Sequence, residues 1–214
     1  MKKLLLALLA TSSFCAIAEP YVGLEYGFGT SNHDFQPRVG SAPNTRTLDP
    51  DMEDGIFTGF VGYNFTNKLG IELGYSQFDL SDDQSSGERI VEQTIEEDKW
   101  NADIKTKSVF VVGTYTHQLA DKLIAKAKGG LIYTHYDATS GSFTERETLT
   151  DVDLPATNIM AGPAEKTDKI GGIIALGAEY FVIPQVSIGA NVKYQFDSFA
   201  QTASANLGAT YYFK

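Results

Sequence analysis

Val186-Ser187-Ile188-Gly189-Ala190-Asn191-Val192-Lys193-Tyr194-Gln195-Phe196-Asp197 places an apolar residue at every second position. A period of two sends successive side chains to opposite faces of an extended strand, whereas a helix would scatter Val186, Ile188, Ala190, Val192, Tyr194 and Phe196 around its axis. The last segment repeats the pattern, with Ala205, Leu207, Ala209, Tyr211 and Phe213 against Ser204, Asn206, Gly208, Thr210 and Tyr212. Leu69, Ile71, Leu73 and Tyr75 alternate in the same way with Gly70, Glu72, Gly74 and Ser76. Extended over the chain, the pattern predicts strands near Tyr21–Phe28, Ile56–Phe65, Leu69–Leu80, Ile104–Thr116, Leu123–Tyr136, Lys169–Phe181, Val186–Asp197 and Thr202–Phe213. The facing of the fourth is open, because Val109, Phe110, Val111 and Val112 run together. Thr66-Asn67-Lys68, Leu119–Lys122 and Ile183-Pro184-Gln185 carry turn chemistry, while Thr30–Asp54, Ser81–Asp103 and Asp137–Asp168 are longer than hairpins require.

Alternation does not say which face looks outward. A soluble lipocalin-like barrel lines a cavity with its apolar face, and a membrane barrel turns that face to lipid. The polar faces here hold mostly Gly, Ser, Thr and Asn, not the Lys and Glu of a wall in water, so they read as a crowded interior. With the apolar faces outward, Tyr63, Phe65, Tyr180, Tyr211 and Phe213 gather by the short turns. Phe28, Tyr75, Tyr133, Tyr194 and Phe196 gather by the long loops, and the two groups form aromatic girdles about one hydrocarbon thickness apart. The expected fold is all-β: an eight-stranded antiparallel transmembrane β-barrel with short periplasmic turns, long extracellular loops and both termini periplasmic. A sandwich core is the competing account of the aromatics.

The N-terminus points to the same compartment. Lys2 and Lys3, the apolar run Leu4–Ala10 and Ala16-Ile17-Ala18 form the three parts of a cleaved signal peptide over residues 1–18, leaving a barrel over 19–214. The apolar run is far shorter than the roughly 20 residues of a spanning helix. Cys15, the only cysteine, lies inside the signal, so the mature chain has no disulfide and no thiol nucleophile. Loss of Lys2 and Lys3 leaves fifteen basic residues against 27 acidic ones, a formal charge of −12, which disfavours nucleic acid as a partner.

The same parity turns Glu25, Glu72, Lys126, Lys128, Glu179 and Lys193 into the lumen, three acids and three bases. An eight-stranded barrel is just wide enough for side chains to fill, and buried charges need partners, so these residues are expected to interlock as a plug. Glu72, Lys126 and Glu179 lie at matched distances from the turns, and Lys126 should reach Glu179. A gate that opens when pairs exchange is the alternative. His33 in a loop, His117 by a turn and His135 followed by Tyr136 and Asp137 show no serine at the spacing that lipid A deacylases use. The acids Asp82, Asp83, Glu88, Glu92, Glu96, Glu97 and Asp98 lack calcium-loop spacing and read as a solvated surface. Phe143, Leu149, Leu154, Ile159 and Met160 suggest apolar packing within the third long loop. No cofactor or metal is expected.

Tyr21-Val22-Gly23-Leu24-Glu25-Tyr26-Gly27, the Gly-x-Glu-Leu-Gly-Tyr run at Gly70–Tyr75 and the closing Leu207–Phe213 resemble the OmpA-like and Ail/opacity-like families of small outer-membrane barrels. The likeness spans the mature chain. It departs at the end, where Lys214 follows the terminal aromatic that resembles the signal for the outer-membrane assembly machinery, and no peptidoglycan-binding domain follows the barrel. The resemblance implies a cell outer-membrane protein whose partners are outer-membrane lipid and lipopolysaccharide, the assembly machinery, and a host or cell-surface ligand at the loops. The expected role is non-enzymatic surface recognition or adhesion, or an envelope-structural one. A narrow channel for ions or small solutes is the runner-up and a lipid-modifying enzyme the third reading.

Overall fold

A computed structural model describes residues 19–213 apart from positions 43, 67 and 151. The expected signal peptide, Asn67 of the first short turn and Lys214 lie outside the described residues. The elements are β1 (Glu19–His33), β2 (Arg38–Ser41), β3 (Asn44–Thr47), β4 (Ile56–Asn64), β5 (Leu69–Ser85), β6 (Arg89–Val91), β7 (Thr94–Ala120), β8 (Leu123–Thr148), β9 (Asp153–Ala161), β10 (Glu165–Ile183), β11 (Val186–Phe196) and β12 (Ala200–Tyr212).

Eight of these close a ring in the order β7, β5, β4, β1, β12, β11, β10, β8, with β8 pairing back onto β7 and every pairing antiparallel. The seam between first and last strands runs from Tyr21 opposite Tyr212 to His33 opposite Ala200. Closure leaves the ring without free edges along the shared part of the wall.

The wall is uneven in height. β7 and β8 stay paired from the turn at Ala120 and Leu123 up to Thr94 opposite Thr148, and β5 follows β7 as far as Ser85 opposite Lys99. β6 and β9 extend this side as outer hairpin strands. On the other side pairing stops at Phe196, Ala200, His33 and Ile56. Two of the three expected loops are therefore largely strand: Ser81–Asp103 and Asp137–Asp168 continue the wall. The outer face there meets water, and above Trp100 and Ala138 the inner face carries ion pairs and hydroxyls in place of apolar side chains, so the period that marks the lower strands is lost. The third expected loop, Thr30–Asp54, carries the β2–β3 hairpin, and it folds inward.

That hairpin fills the mouth. Phe35, Val39 and Leu48 are buried with Ile56, Phe78, Leu80, Trp100, Ala102, Ile104, Tyr136, Ala138, Phe199 and Ala200. Paired backbone bonds between Asp51 and Ser81, the Asp49 amide on Asp82 Oδ2 at 2.8 Å, and Arg46 over the Trp100 ring at 5.1 Å fasten it to the tall wall. His33 is the buried last residue of β1, not a loop residue, and its Nε2 donates to the Pro50 carbonyl at 2.6 Å.

The fourth strand resolves with Val109 and Val111 outward and Phe110 and Val112 inward. Both faces are apolar because the lumen itself holds an aromatic layer: Tyr21, Phe60, Phe110, Val112, Ile132, Ile173 and Tyr212. Its rings lie on glycines of the adjacent strand, where a Cβ at Gly74 would stand 2.1 Å from Phe110 and one at Gly23 2.3 Å from Phe60. Leu149, Ile159 and Met160 are exposed rather than packed, since backbone pairing to β8 holds this segment in place without a core.

Candidate functional site

The six inward charges meet in one layer. Glu25 comes from β1, Glu72 from β5, Lys126 and Lys128 from β8, Glu179 from β10 and Lys193 from β11, each at a polar-parity position of its strand. Lys126 Nζ lies 2.6 Å from Glu179 and 3.8 Å from Glu72. Lys128 lies 2.8 Å from Glu72 and 3.4 Å from Glu25, and Lys193 closes the chain on Glu25 at 3.0 Å. Each carboxylate also accepts from neutral donors: Tyr21 Oη on Glu72 at 2.9 Å, Tyr212 Oη and Ser187 Oγ on Glu179 at 2.7 Å, and Asn191 Nδ2 on Glu25 at 3.0 Å. Lys126 sits 4.7 Å from the centre of the Tyr21 ring and Lys128 4.4 Å from that of Phe60. Opposite charges at this spacing offset the desolvation that an isolated buried charge would suffer.

Sequence reasoning missed Tyr21, Tyr212, Ser187 and Asn191 as members of this layer. Their signal was available, since each occupies an inward position by parity, but tyrosine reads as apolar in a pattern built on hydropathy.

The layer leaves about 20 Å³ of free space beside it, room for a water. Above it Ser76, Thr106, Ser108, Thr134, Gln195 and Thr202 form a hydroxyl-rich tier, with Ser108 Oγ donating to Thr134 Oγ1 at 3.0 Å and a gap of only about 10 Å³. The apolar plug of the mouth lies above that. A vestibule of about 740 Å³ opens at the turn end, with Glu19, Asn64, Gln118, Lys122, Phe181 and Tyr212 in its lining, and stops at the tyrosines. The lumen is thus closed three times over.

Outside, the apolar faces lie bare: Leu24 is 56% exposed, Leu131 62% and Leu207 70%. A ring whose polar groups are buried and whose leucines are exposed is inverted relative to a water-soluble barrel, and only hydrocarbon stabilises it. The sequence matches the outer membrane protein beta-barrel domain over residues 4–213. The chain belongs to this family of outer-membrane β-barrels. Among solved structures, the barrel resembles Ail, the attachment invasion locus protein of Yersinia pestis, crystallised with the heparin analogue sucrose octasulfate, at 15% identity. The match covers 92% of this chain and 100% of that one, with a TM-score of 0.51. Neisserial surface protein A matches at 12% identity over 91% and 97% of the two chains, with a TM-score of 0.51. A major outer membrane protein from Thermus thermophilus matches at 10% identity over 92% and 100%, with a TM-score of 0.50. No curated protein sequence matches the chain. At these identities the likeness is one of fold.

The outer-membrane barrel thus faces lipid with its apolar exterior. Phe65, Tyr180, Tyr211 and Phe213 are outward at the turn end, with Tyr63 half-buried against Phe65 at 5.6 Å. Phe28, Tyr75, Tyr133, Tyr194 and Phe196 are outward towards the other end, Tyr194 stacking on Phe196 at 5.7 Å. Tyr26, Phe57 and Tyr115 are also outward and were not singled out by the pattern.

The histidines are dispersed. His135 Nδ1 lies 2.7 Å from Asp168 Oδ1 on the outer surface, and among the described residues no serine hydroxyl bonds a histidine. The upper acids are not simply solvated: Arg89 holds Asp98 through two bonds of 2.6 and 2.9 Å and also reaches Glu96, which Arg146 approaches at 3.3 Å, and Lys99 pairs with Glu145 and Glu97. These ion pairs lie in the tall wall, where strands rather than loops bring the partners together. No group of three potential metal ligands occurs among the described residues.

Proposed function

We propose that this barrel works at the cell surface through its tall wall, as a non-enzymatic recognition or adhesion protein, with residues 1–18 serving as its export signal. The observation that carries the reading is the pairing of a closed lumen with a wall that continues far past the apolar belt on one side only. Residues that merely protect a barrel mouth need no 27-residue strand, and a spanning strand needs about ten. The interior charges then specify and stiffen the barrel, and the aromatic girdles set its depth in the bilayer. Ail was crystallised with a sulfated sugar; the tall wall here carries Asp82, Asp83, Glu88, Glu92 and Glu97, so a neutral or basic surface suits it better than a polyanion.

The channel reading draws on a different feature: Lys126 and Lys128 each touch two carboxylates, so exchange of partners is geometrically available. One pair of experiments separates the two. Refolded protein in planar bilayers is expected to give no stable openings, and cells displaying it are expected to adhere to animal-cell monolayers. Removing the tops of β7 and β8 with β6 and β9 (residues 86–97 and 145–161, each gap bridged by a short turn) is expected to abolish adhesion while the barrel still assembles. Large openings that vanish on substitution of Glu72 or Lys126 would overturn the recognition reading in favour of a pore.

A further inference from the structure

The summit of the tall wall is apolar. Two hairpin tips stand side by side there, because Thr94 at the head of β7 pairs with Thr148 at the head of β8. The first tip carries Ile90, Val91 and Ile95, the second Leu149 and Val152; Ile90 is 72% exposed, Leu149 and Val152 56% each. Directly below, the same strands turn ionic, with Arg89, Glu96, Asp98 and Arg146 paired on the inner face and Glu97, Lys99 and Glu145 on the outer. This cap is remote from the barrel's own bilayer. The outward face of β7 leaves hydrocarbon chemistry after Val109, where Lys107 and Lys105 follow, and Thr94 lies fifteen residues beyond Val109, about 50 Å along the strand at a rise of about 3.4 Å per residue.

The apolar side chains of the first tip point both ways. Val91 stands opposite Thr94 and Ile90 opposite Ile95, so these neighbours face opposite sides of the sheet. A protein that docks against a sheet covers one face, whereas a tip that is apolar on both faces is complementary to a medium that surrounds it. The backbone is ready for such a medium. Thr94 Oγ1 donates to the Val91 carbonyl at 2.9 Å, the Thr148 amide to the Val152 carbonyl at 2.9 Å and the Val152 amide to Thr148 Oγ1 at 3.1 Å, so the turns satisfy polar groups that would otherwise need water. Glu92 at the apex of the first tip and Asp153 just behind the second hold any immersion at headgroup depth and repel an anionic surface.

We propose that the two tips immerse together in the headgroup region of an apposed zwitterionic phospholipid bilayer, the membrane of another cell. Lipid, in place of a protein or a glycan, is then what the tall wall recognises. The proposal rests on the recognition reading and names its partner. Each copy contributes only a few partly buried apolar side chains, so attachment depends on many copies acting on one surface.

The test refolds the protein into a supported phosphatidylcholine bilayer and offers fluorescent phosphatidylcholine vesicles from solution. Wild-type protein is expected to capture them, and the Ile90→Ser/Leu149→Ser double variant, altered only at exposed positions, to capture about tenfold fewer. Vesicles in which a third of the lipid is phosphatidylserine should be captured several-fold less, the deficit shrinking as salt is raised. A second measurement does not depend on that variant: in Leu149→Trp, vesicles of brominated phosphatidylcholine should quench the new indole and leave Trp100, buried beneath the β2–β3 hairpin, unquenched. Capture undiminished in the double variant, equal capture of the anionic vesicles, or an unquenched Leu149→Trp would overturn the proposal. If wild-type protein ignores the vesicles while cells displaying it still adhere to animal-cell monolayers, lipid is overturned as the partner and the recognition reading survives; if adhesion is absent as well, both fall.

Discussion

Lys126 is the residue on which the lumen turns, since among the described residues it is the one cation that reaches both Glu72 and Glu179 and it also donates to Tyr212 Oη at 3.2 Å. Replacing it by Ala leaves Glu179 buried with hydroxyl donors but no counter-charge. The expected cost is about 3 kcal/mol, at the lower end for a broken buried pair because Lys128 still neutralises Glu72. Lys126→Met combined with Glu179→Leu should recover most of that loss, because the charge is then removed together with its partner. Urea unfolding in micelles, followed by the fluorescence of Trp100, the single tryptophan, gives both values. What was legible here follows from parity: Glu25, Glu72 and Glu179 stand at inward positions of clean alternating runs. Tyr21 and Tyr212 were harder to read, because their rings belong to an interior aromatic layer while their hydroxyls serve the carboxylates, and hydropathy registers only the ring.

At the scale of elements, β6 and β9 show how exposed strand edges are managed above the membrane. Pro155 removes an amide from the outer edge of β9, its pairing with β8 breaks register twice, and Asn158 turns to a φ of +50°. Each feature discourages a further strand from adding there. β6 is only three residues long and is held by Arg89, whose bonds to Asp98 keep that carboxyl below the usual carboxylate range, with Thr144 adding a further donor. Asp98 therefore lends β6 its full support above the ordinary aspartate pKa of about 4 and loses it as pH falls through the lower folded value. Arg89 is shifted upward and stays charged throughout. Amide exchange at Arg89–Val91, corrected for intrinsic rate, should accelerate relative to the lower part of β7 below about pH 4. An Asp98→Asn variant should exchange fast at every pH. The strand ends of this region were not legible in the sequence for a physical reason: in Glu96-Glu97-Asp98-Lys99 the side chains alternate between ion pairs on the inner face and ion pairs on the outer, and no hydrophobic period survives.

Taken whole, the molecule divides into a lower ring set by alternation and an upper half set by contacts far apart in sequence. The ring was readable from Val186–Phe196 outward. The plug was not, because Phe35, Val39 and Leu48 look like isolated apolar residues in a polar stretch until Trp100 and Tyr136 are brought over them. The seam of β1 and β12 has a kinetic consequence. Tyr21 meets Tyr212 across nearly the full length of the chain, so the last pairing to form is the one with the greatest loop-closure entropy, and no hairpin can nucleate it. Every other ring contact joins neighbours in sequence and is available early. Folding should therefore pass through an open curved sheet whose two unpaired edges are β1 and β12. A chain truncated before Ala200 lacks β12 and should accumulate as a comparable open sheet edged by β1 and β11, keeping strand content by circular dichroism while losing the compact, heat-modifiable migration of the closed barrel on unboiled gels. Closed migration by the truncated chain would show that the seam is dispensable.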